Sequence, residues 1–306
     1  MSIFSNICEL ARAELGLGGR MKRRKYRTMA GVASVYEVVY DDGKLVRVMN
    51  VKGTYQSATY LEEDCYELVF GYHRAYNALF RAGIPIRNVA MLGGGGFSYP
   101  KYLVSHYPDL SVDVVEIDPM VVSIAERWFY LDRLAAEFET EETGRMGVYI
   151  QDAREFLEET VAWLQAGGPV DVDPAEHIVR YDAIVNDCFS ARVPVMSLAT
   201  EEAARVIHAC LSPGGMYLSN VISALRGPRA KLLHSVMRTL QGEFAHVYVV
   251  PGSEGLPRVV DNYVVIATDG EYSFPHAIDV APDPGIEVLV DAHVDEYERE
   301  FFLVDT

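Results

Sequence analysis

The sequence predicts an α/β fold in which a doubly wound sheet of seven strands follows a small antiparallel β-domain. Apolar residues make up 50 % of the 306 positions and charged ones 23 %, the composition of a folded globular chain. Between about residues 85 and 268, apolar runs alternate with helical periodicity, the pattern of a parallel sheet covered on both faces. Ahead of them, β-rich runs at Val32–Tyr40 and Leu45–Val51 flank Asp41-Asp42-Gly43-Lys44, a hairpin signal.

Residues 4–17 read as a short amphipathic helix, with Phe4, Ile7, Leu10, Ala11 and Leu15 near helical spacing and Gly18-Gly19 closing it. A basic arm follows. Thr54–Tyr60 completes the small sheet, and the periodicity from Leu61 to Ala82 predicts a helix ending at Gly83. Strands are then expected at Asn88–Leu92, Val112–Ile117, Met146–Ile150, Tyr181–Asn186, Gly215–Val221, Phe244–Val250 and Tyr263–Ala267. Helices fall between them at Tyr99–His106, Pro119–Phe129, Ala153–Leu164, Thr200–Leu211 and Pro228–Leu240. No helix separates the last two strands, which is compatible with an antiparallel final strand. The units are therefore an N-terminal helix and basic arm (1–30), a β-domain (31–60), a doubly wound domain (61–268) and an acidic tail (269–306), whose elements the periodicity does not define.

The net charge of −17 argues against a nucleic-acid partner, because phosphate binding rests on a basic face. The charge is uneven: residues 1–30 hold seven Lys/Arg against two acids, and residues 269–306 hold eleven acids against Arg299 alone. That opposition suggests packing of the tail on the basic arm. No apolar run is long enough to span a membrane, and the order of apolar and basic residues at the N-terminus reverses that of an export signal, so a cytoplasmic protein is expected. The four cysteines form no C-x-x-C, and the histidines show no metal-ligand spacing; no metal is expected, and His73 reads as a core or helix-surface residue.

In a doubly wound sheet the ligand lies at the carboxyl ends of the strands, and those ends are informative here. Gly93-Gly94-Gly95-Gly96 follows the first, where missing side chains let backbone approach a ligand. Glu116 ends the second, 20 residues after Gly96, about where a carboxylate takes ribose hydroxyls. Asp152-Ala153 follows the third, an acid placed to accept from an exocyclic amine, and Asn186-Asp187-Cys188-Phe189 ends the fourth. This describes a nucleoside pocket with one further acid, Asp187, at its open side. The dinucleotide fingerprint G-x-G-x-x-G is incomplete, since Ser98 or Tyr99 stands at its third glycine. The competing reading of Asp187 is a helix N-cap.

With these motifs the sequence resembles the spermidine synthases, or polyamine aminopropyltransferases, and more closely their bacterial spermidine-synthase-like relatives. The resemblance runs from about Ser34 to Thr268 through Gly53-Thr54-Tyr55-Gln56-Ser57, Cys65-Tyr66-Glu67, Leu92-Gly93-Gly94-Gly95, Val115-Glu116-Ile117-Asp118-Pro119, Gln151-Asp152-Ala153, Tyr181 to Asp187, and Leu211-Ser212-Pro213-Gly214-Gly215. It implies a Rossmann-like sheet of the methyltransferase type, a homodimer, and transfer of an aminopropyl group from decarboxylated S-adenosylmethionine to a polyamine amine such as putrescine. By the family's pattern Gly93, Gly94, Gly95, Glu116, Asp152 and Ala153 hold the nucleoside, Gln56 lies over the donor, Glu67 faces the acceptor, and Asp187 is the catalytic acid. The chemistry supports Asp187 independently: displacement at a sulfonium carbon needs a neutral amine, whereas alkylamines titrate near about 10, as Lys does, so a carboxylate at the amine can take its proton. Two positions depart from the family: Gly96 and Ser190 stand where it has cation-binding acids. The alternatives are methyl transfer from S-adenosylmethionine, to which Gly96 removes a barrier, and a catalytically silent nucleoside-binding member.

Overall fold

The computed structural model describes residues 22–40, 43–167, 180–190, 193–283 and 285–302; the helix expected over 4–17 lies outside them. Four strands, β1 (Arg24–Thr28), β2 (Gly31–Val39), β3 (Leu45–Val51) and β4 (Thr54–Tyr60), form an antiparallel meander in sequence order. Strand β1 is an addition to the sequence reading, which assigned it to the basic arm and set a boundary at residue 30. It pairs with β2 from Arg24↔Val35 to Thr28↔Gly31. Three of its five residues are basic, so its one inward aromatic, Tyr26, was a weak signal; the Tyr26 hydroxyl accepts from Trp128 Nε1 at 2.6 Å.

The helix expected from Leu61 to Ala82 is broken. A 3₁₀ turn at Glu62–Asp64 is followed by a turn and irregular backbone to Phe70, a five-residue helix α1 (Gly71–Ala75) and a 3₁₀ segment Tyr76–Arg81. The carbonyls of Leu68 and Val69 accept from the Arg74 guanidinium at 2.7 and 3.2 Å, replacing bonds that a continuous helix would make along its backbone.

The large domain runs β5 (Asn88–Leu92), α2 (Ser98–His106), β6 (Ser111–Glu116), α3 (Pro119–Trp128), α4 (Leu131–Phe138), α5 (Thr140–Thr143), β7 (Met146–Ile150), α6 (Ala153–Gln165), β8 (Tyr181–Asn186), a two-residue pair β9 (Phe189–Ser190) and β10 (Val193–Pro194), α7 (Glu201–Cys210), β11 (Leu211–Ser223), α8 (Lys231–Leu240), β12 (His246–Pro251), β13 (Asp261–Thr268) and α9 (Val294–Phe302). The seven-stranded sheet has the order β12-β13-β11-β8-β5-β6-β7, and only β13 runs against the rest. Chain order reverses on either side of β5, so the crevice opens where β5 and β8 end. The edge strand β7 leaves Val148, Tyr149 and Ile150 exposed, whereas the central strands are buried on both faces. Among the described residues no helix is long and apolar enough to cross a membrane.

Two cores flank the sheet. One joins its first face to α2–α4 and to the β-domain; the other packs α6–α8 on the opposite face. The acidic tail divides between them: Phe274 packs in the first, whereas Leu289 is fully buried in the second, where Arg154 pairs with Asp291 at 3.1 Å and Lys231 binds Glu287 and Glu300. From Glu287 on, the described tail therefore sits on the sheet face away from the β-domain, and among the described residues its acids meet Arg154 and Lys231 in place of the expected basic arm. Its acids meet single cations on helices, a match that net charge alone did not disclose.

Lys101 of α2 joins the two domains. It is 1 % exposed, and its ammonium donates to Thr59 Oγ1, to the Cys65 carbonyl at 3.1 Å and to the Phe129 carbonyl at the end of α3. Burial without a carboxylate partner pushes its pKa from 10.5 down to about 7. Between those values the unfolded chain binds the extra proton, so Lys101 makes stability rise with pH across the window. Urea denaturation of wild type and Lys101→Met through that range should show a steeper rise in wild type, by up to about 1.4 kcal/mol per pH unit; parallel curves would contradict it.

Candidate active site

The carboxyl ends of β5, β6 and β8 open into a cavity of about 560 Å³ that is also lined by β3, β4 and the turn after β1. Its size suits a small-molecule ligand. The sharp turn after β5 depends on Gly93, whose φ is +89° and whose Cβ would lie 2.6 Å from the Asp187 carbonyl. Only a glycine lets the end of β8 pass so close.

Glu116 is 9 % exposed and accepts from the backbone N–H of Gly94, Gly95 and Asp118 at 3.0–3.1 Å. Burial raises its pKa, partly offset by these donors. Asp118 caps α3 through the Met120 N–H and also accepts from the Met29 N–H, fastening the β1–β2 turn over the crevice. Asp152 caps α6 through Oδ1, with Ala153 beside it on the wall. Gln56 also lines the cavity. Met49 pairs with Ser57 and Asn50 with Tyr55, so Gln56 is the extra residue of a β-bulge, a device that bends a strand and re-aims its side chain.

Asp187 is no helix cap. Its carboxylate accepts from Tyr72 Oη at 3.2 Å and Asn220 Nδ2 at 2.7 Å, and His73 Nε2 lies 3.4 Å away. Burial and the Asp187 charge hold the Tyr72 and Tyr76 hydroxyls well above their usual range, so both stay protonated. Cys188 likewise stays a thiol, pushed up by burial and by Glu116, Asp187 and Asp152. It is not an activated nucleophile.

The structure thus brings together Gln56, Gly93, Gly94, Gly95, Glu116, Asp152, Ala153 and Asp187. It does not bring in Glu67, which stands on the outer surface, 51 % exposed and 3.1 Å from His106. The broken helix is the reason: Glu67 lies before the break and does not share the face that Phe70, Tyr72 and His73 turn to the cavity. Sequence reasoning missed Tyr72, His73 and Asn220. His73, read as a bland residue, is buried with its ring against Tyr72 and its Nδ1 without a partner. A polar pair inside an aromatic-rich stretch was the available signal.

A doubly wound sheet whose strand ends are covered by a small β-domain, with a glycine turn and strand-end acids, defines a Rossmann-like transferase fold of the S-adenosylmethionine-related kind. The spermine/spermidine synthase domain model matches residues 70–250, and the chain belongs to that family. The chain is 28 % identical to the polyamine aminopropyltransferase of Vibrio vulnificus over 193 residues, 63 % of this chain and 55 % of that protein. It is 26 % identical to the human eEF1A lysine and N-terminal methyltransferase over 160 residues, 52 % of this chain and 20 % of that protein. The matches thus span about a fifth and just over half of these relatives' lengths. The fold is similar to a probable spermidine synthase from Corynebacterium glutamicum, with TM-score 0.63, 20 % identity, and 83 % and 82 % of the two chains covered.

Position 96 is closed as well as uncharged. The Gly96 N–H donates to Ser57 Oγ at 2.7 Å, and a Cβ there would lie 2.8 Å from both Phe129 Cδ1 and Ser57 Cβ. Gly96→Asp should therefore destabilise the protein by about 1–3 kcal/mol through overpacking. An unchanged denaturation midpoint would show that the β4–α3 contact yields freely.

Proposed function

We propose that the protein transfers an aminopropyl group from decarboxylated S-adenosylmethionine to a polyamine amine such as putrescine. The observation that carries this reading is the charge of the cavity wall: Glu116, Asp118, Asp152, Asp187 and Asp261 line it, and no lysine or arginine does among the described residues. A carboxylate on the donor would find no lysine or arginine there. The N–H groups of Gly94, Gly95 and Gly96 that could receive it already serve Glu116 and Ser57. A donor bearing a sulfonium and an ammonium, and a cationic acceptor, suit such a wall.

In this reading Glu116 accepts the ribose hydroxyls through lone pairs left over from its backbone bonds, Asp152 accepts the adenine amine, and Gly93, Gly94, Gly95 and Ala153 bring backbone against the nucleoside. Gln56 covers the donor. Asp187 takes the proton of the attacking ammonium. The freed nitrogen lone pair then forms the new N–C bond as the C–S bond breaks, and its electrons leave on sulfur as a neutral thioether. Tyr72 and Asn220 fix the carboxylate for this step, each donating to one of its oxygens. The same reading takes the protein as a cytoplasmic homodimer acting on small molecules. A second reading, methyl transfer from S-adenosylmethionine, draws on the absence of an acid at position 96.

Calorimetric titration with the decarboxylated and the carboxylated donor, followed by mass analysis of putrescine incubated with each, tests the choice. Tighter binding of the decarboxylated donor with an aminopropylated product is expected; preference for the carboxylated one supports methyl transfer, and binding of neither supports a silent member. Asp187→Asn should lower turnover by two orders of magnitude or more, about the contribution of a positioned base, with donor affinity kept. Glu116→Ala should instead weaken donor binding by about 1.5–3 kcal/mol, and wild-type affinity in that variant would misplace the nucleoside.

A further inference from the structure

The end of the cavity assigned to the nucleoside has two walls of different origin. Asp152 and Ala153 stand at the start of α6, whereas Val195 and Leu198 come from the segment between β8 and α7, which turns through a 3₁₀ stretch at Met196–Leu198. Arg154 touches both. Its backbone N–H donates to Asp152 Oδ1 at 2.8 Å, and its guanidinium donates through Nη1 to the Ser197 carbonyl at 2.9 Å. A guanidinium is a rigid fork on a flexible stem, so its direction is set by what it binds.

What it binds lies outside the cavity, in the C-terminal segment. One oxygen of Asp291 accepts from Arg154 Nη2 at 3.1 Å, and the other accepts from Nη1 at 3.4 Å and from the Thr200 hydroxyl. Glu158 takes the Nε–H at 2.7 Å. The Arg154 side chain is 15 % exposed, which makes the geometry of this pair matter more than that of a surface pair. Asp291 is itself anchored. Two residues before it, Leu289 is fully buried, its N–H donates to Thr239 Oγ1 of α8 at 2.9 Å, and its carbonyl accepts the Glu201 N–H in the first turn of α7 at 2.8 Å. Thr200 is the residue that caps α7, through the Ala203 N–H. The segment 289–291 thus fastens α7 and α8 and reaches Arg154 in the first turn of α6, yet among the described residues none after Asn262 lines the cavity.

We infer that Asp291 is a positioning residue for the nucleoside: it orients the Arg154 guanidinium, the guanidinium holds the 195–198 wall against the start of α6, and donor affinity is thereby controlled by a segment that touches no ligand. The inference rests on placing the nucleoside against Asp152 and Ala153, and adds the control of that site by the tail. Coupling between two sites is reciprocal, so a nucleoside in the cavity in turn tightens the tail.

The test uses methylthioadenosine, the neutral thioether that aminopropyl transfer leaves, so that no ligand charge meets the acids of the wall. It is titrated calorimetrically into wild type, Asp291→Ala, Arg154→Met and the double variant. Asp291→Ala should raise the Kd about three- to tenfold, Arg154→Met at least as much, and the double variant no more than Arg154→Met, because the two residues act in series. In turnover the loss should fall on the KM for the donor, with kcat little changed. Effects that multiply, a smaller loss in Arg154→Met, or wild-type affinity in Asp291→Ala would overturn the inference and leave the nucleoside site standing, which Glu116→Ala tests separately. Hydrogen exchange reads the reciprocal effect in the unaltered protein: the amides of 289–293 should exchange about threefold or more slowly with the nucleoside bound. Unchanged exchange overturns the inference even if the variants do not fold, and wild type that binds no nucleoside overturns both readings.

Discussion

The carboxylate of Glu116 is the knot on which this cavity depends. It stands at the end of β6, yet its oxygens gather the N–H groups of the turn after β5 and of the residue that caps α3. A buried carboxylate is expensive unless donors surround it, and here backbone donors that cannot rotate away do so. The glycine turn is thereby held open in one shape, and the end of β8 is drawn across Gly93 with no room for a side chain. Asp187 owes its position to that crossing. The same turn is fastened from the other side by Ser57, so the β-domain is part of the site.

Much of this was legible in the sequence, and for physical reasons. Central strands of a covered sheet are apolar runs, so Asn88–Leu92 and Tyr181–Asn186 are read to the residue, and the strand-end acids follow from them. What escaped has equally definite causes. Strand β1 carries its basic residues outward and has little apolar pattern. The stretch 61–82 has helical periodicity, but one arginine side chain captures the carbonyls that would have continued the helix, and with the break goes the face on which Glu67 was placed. Tyr72, His73 and Asn220 become neighbours of Asp187 only when α1 and β11 are brought to it, a tertiary fact with no local trace. Asp261 opens β13 after a turn, where an acid ordinarily reads as surface.

Charge is distributed with the chemistry. The net charge of the chain says little by itself, but Asp291, Glu287 and Glu300 of the tail are met by Arg154 and Lys231 on the far face of the sheet, whereas the acids of the cavity are met by hydroxyls, amides, backbone N–H groups and the His73 imidazole, with no lysine or arginine among the described residues. Dipoles orient a carboxylate without cancelling it. The interior of the cavity therefore keeps a negative potential that a cationic ligand can use.

The filled space at position 96 bears on how such a site can change over generations. The atoms that occupy it come from Ser57 in the β-domain and Phe129 at the end of α3, so an acid could enter only if both withdrew. A charged side chain at this corner therefore calls for compensating change in both domains, and ligand preference is altered at lower cost elsewhere along the wall.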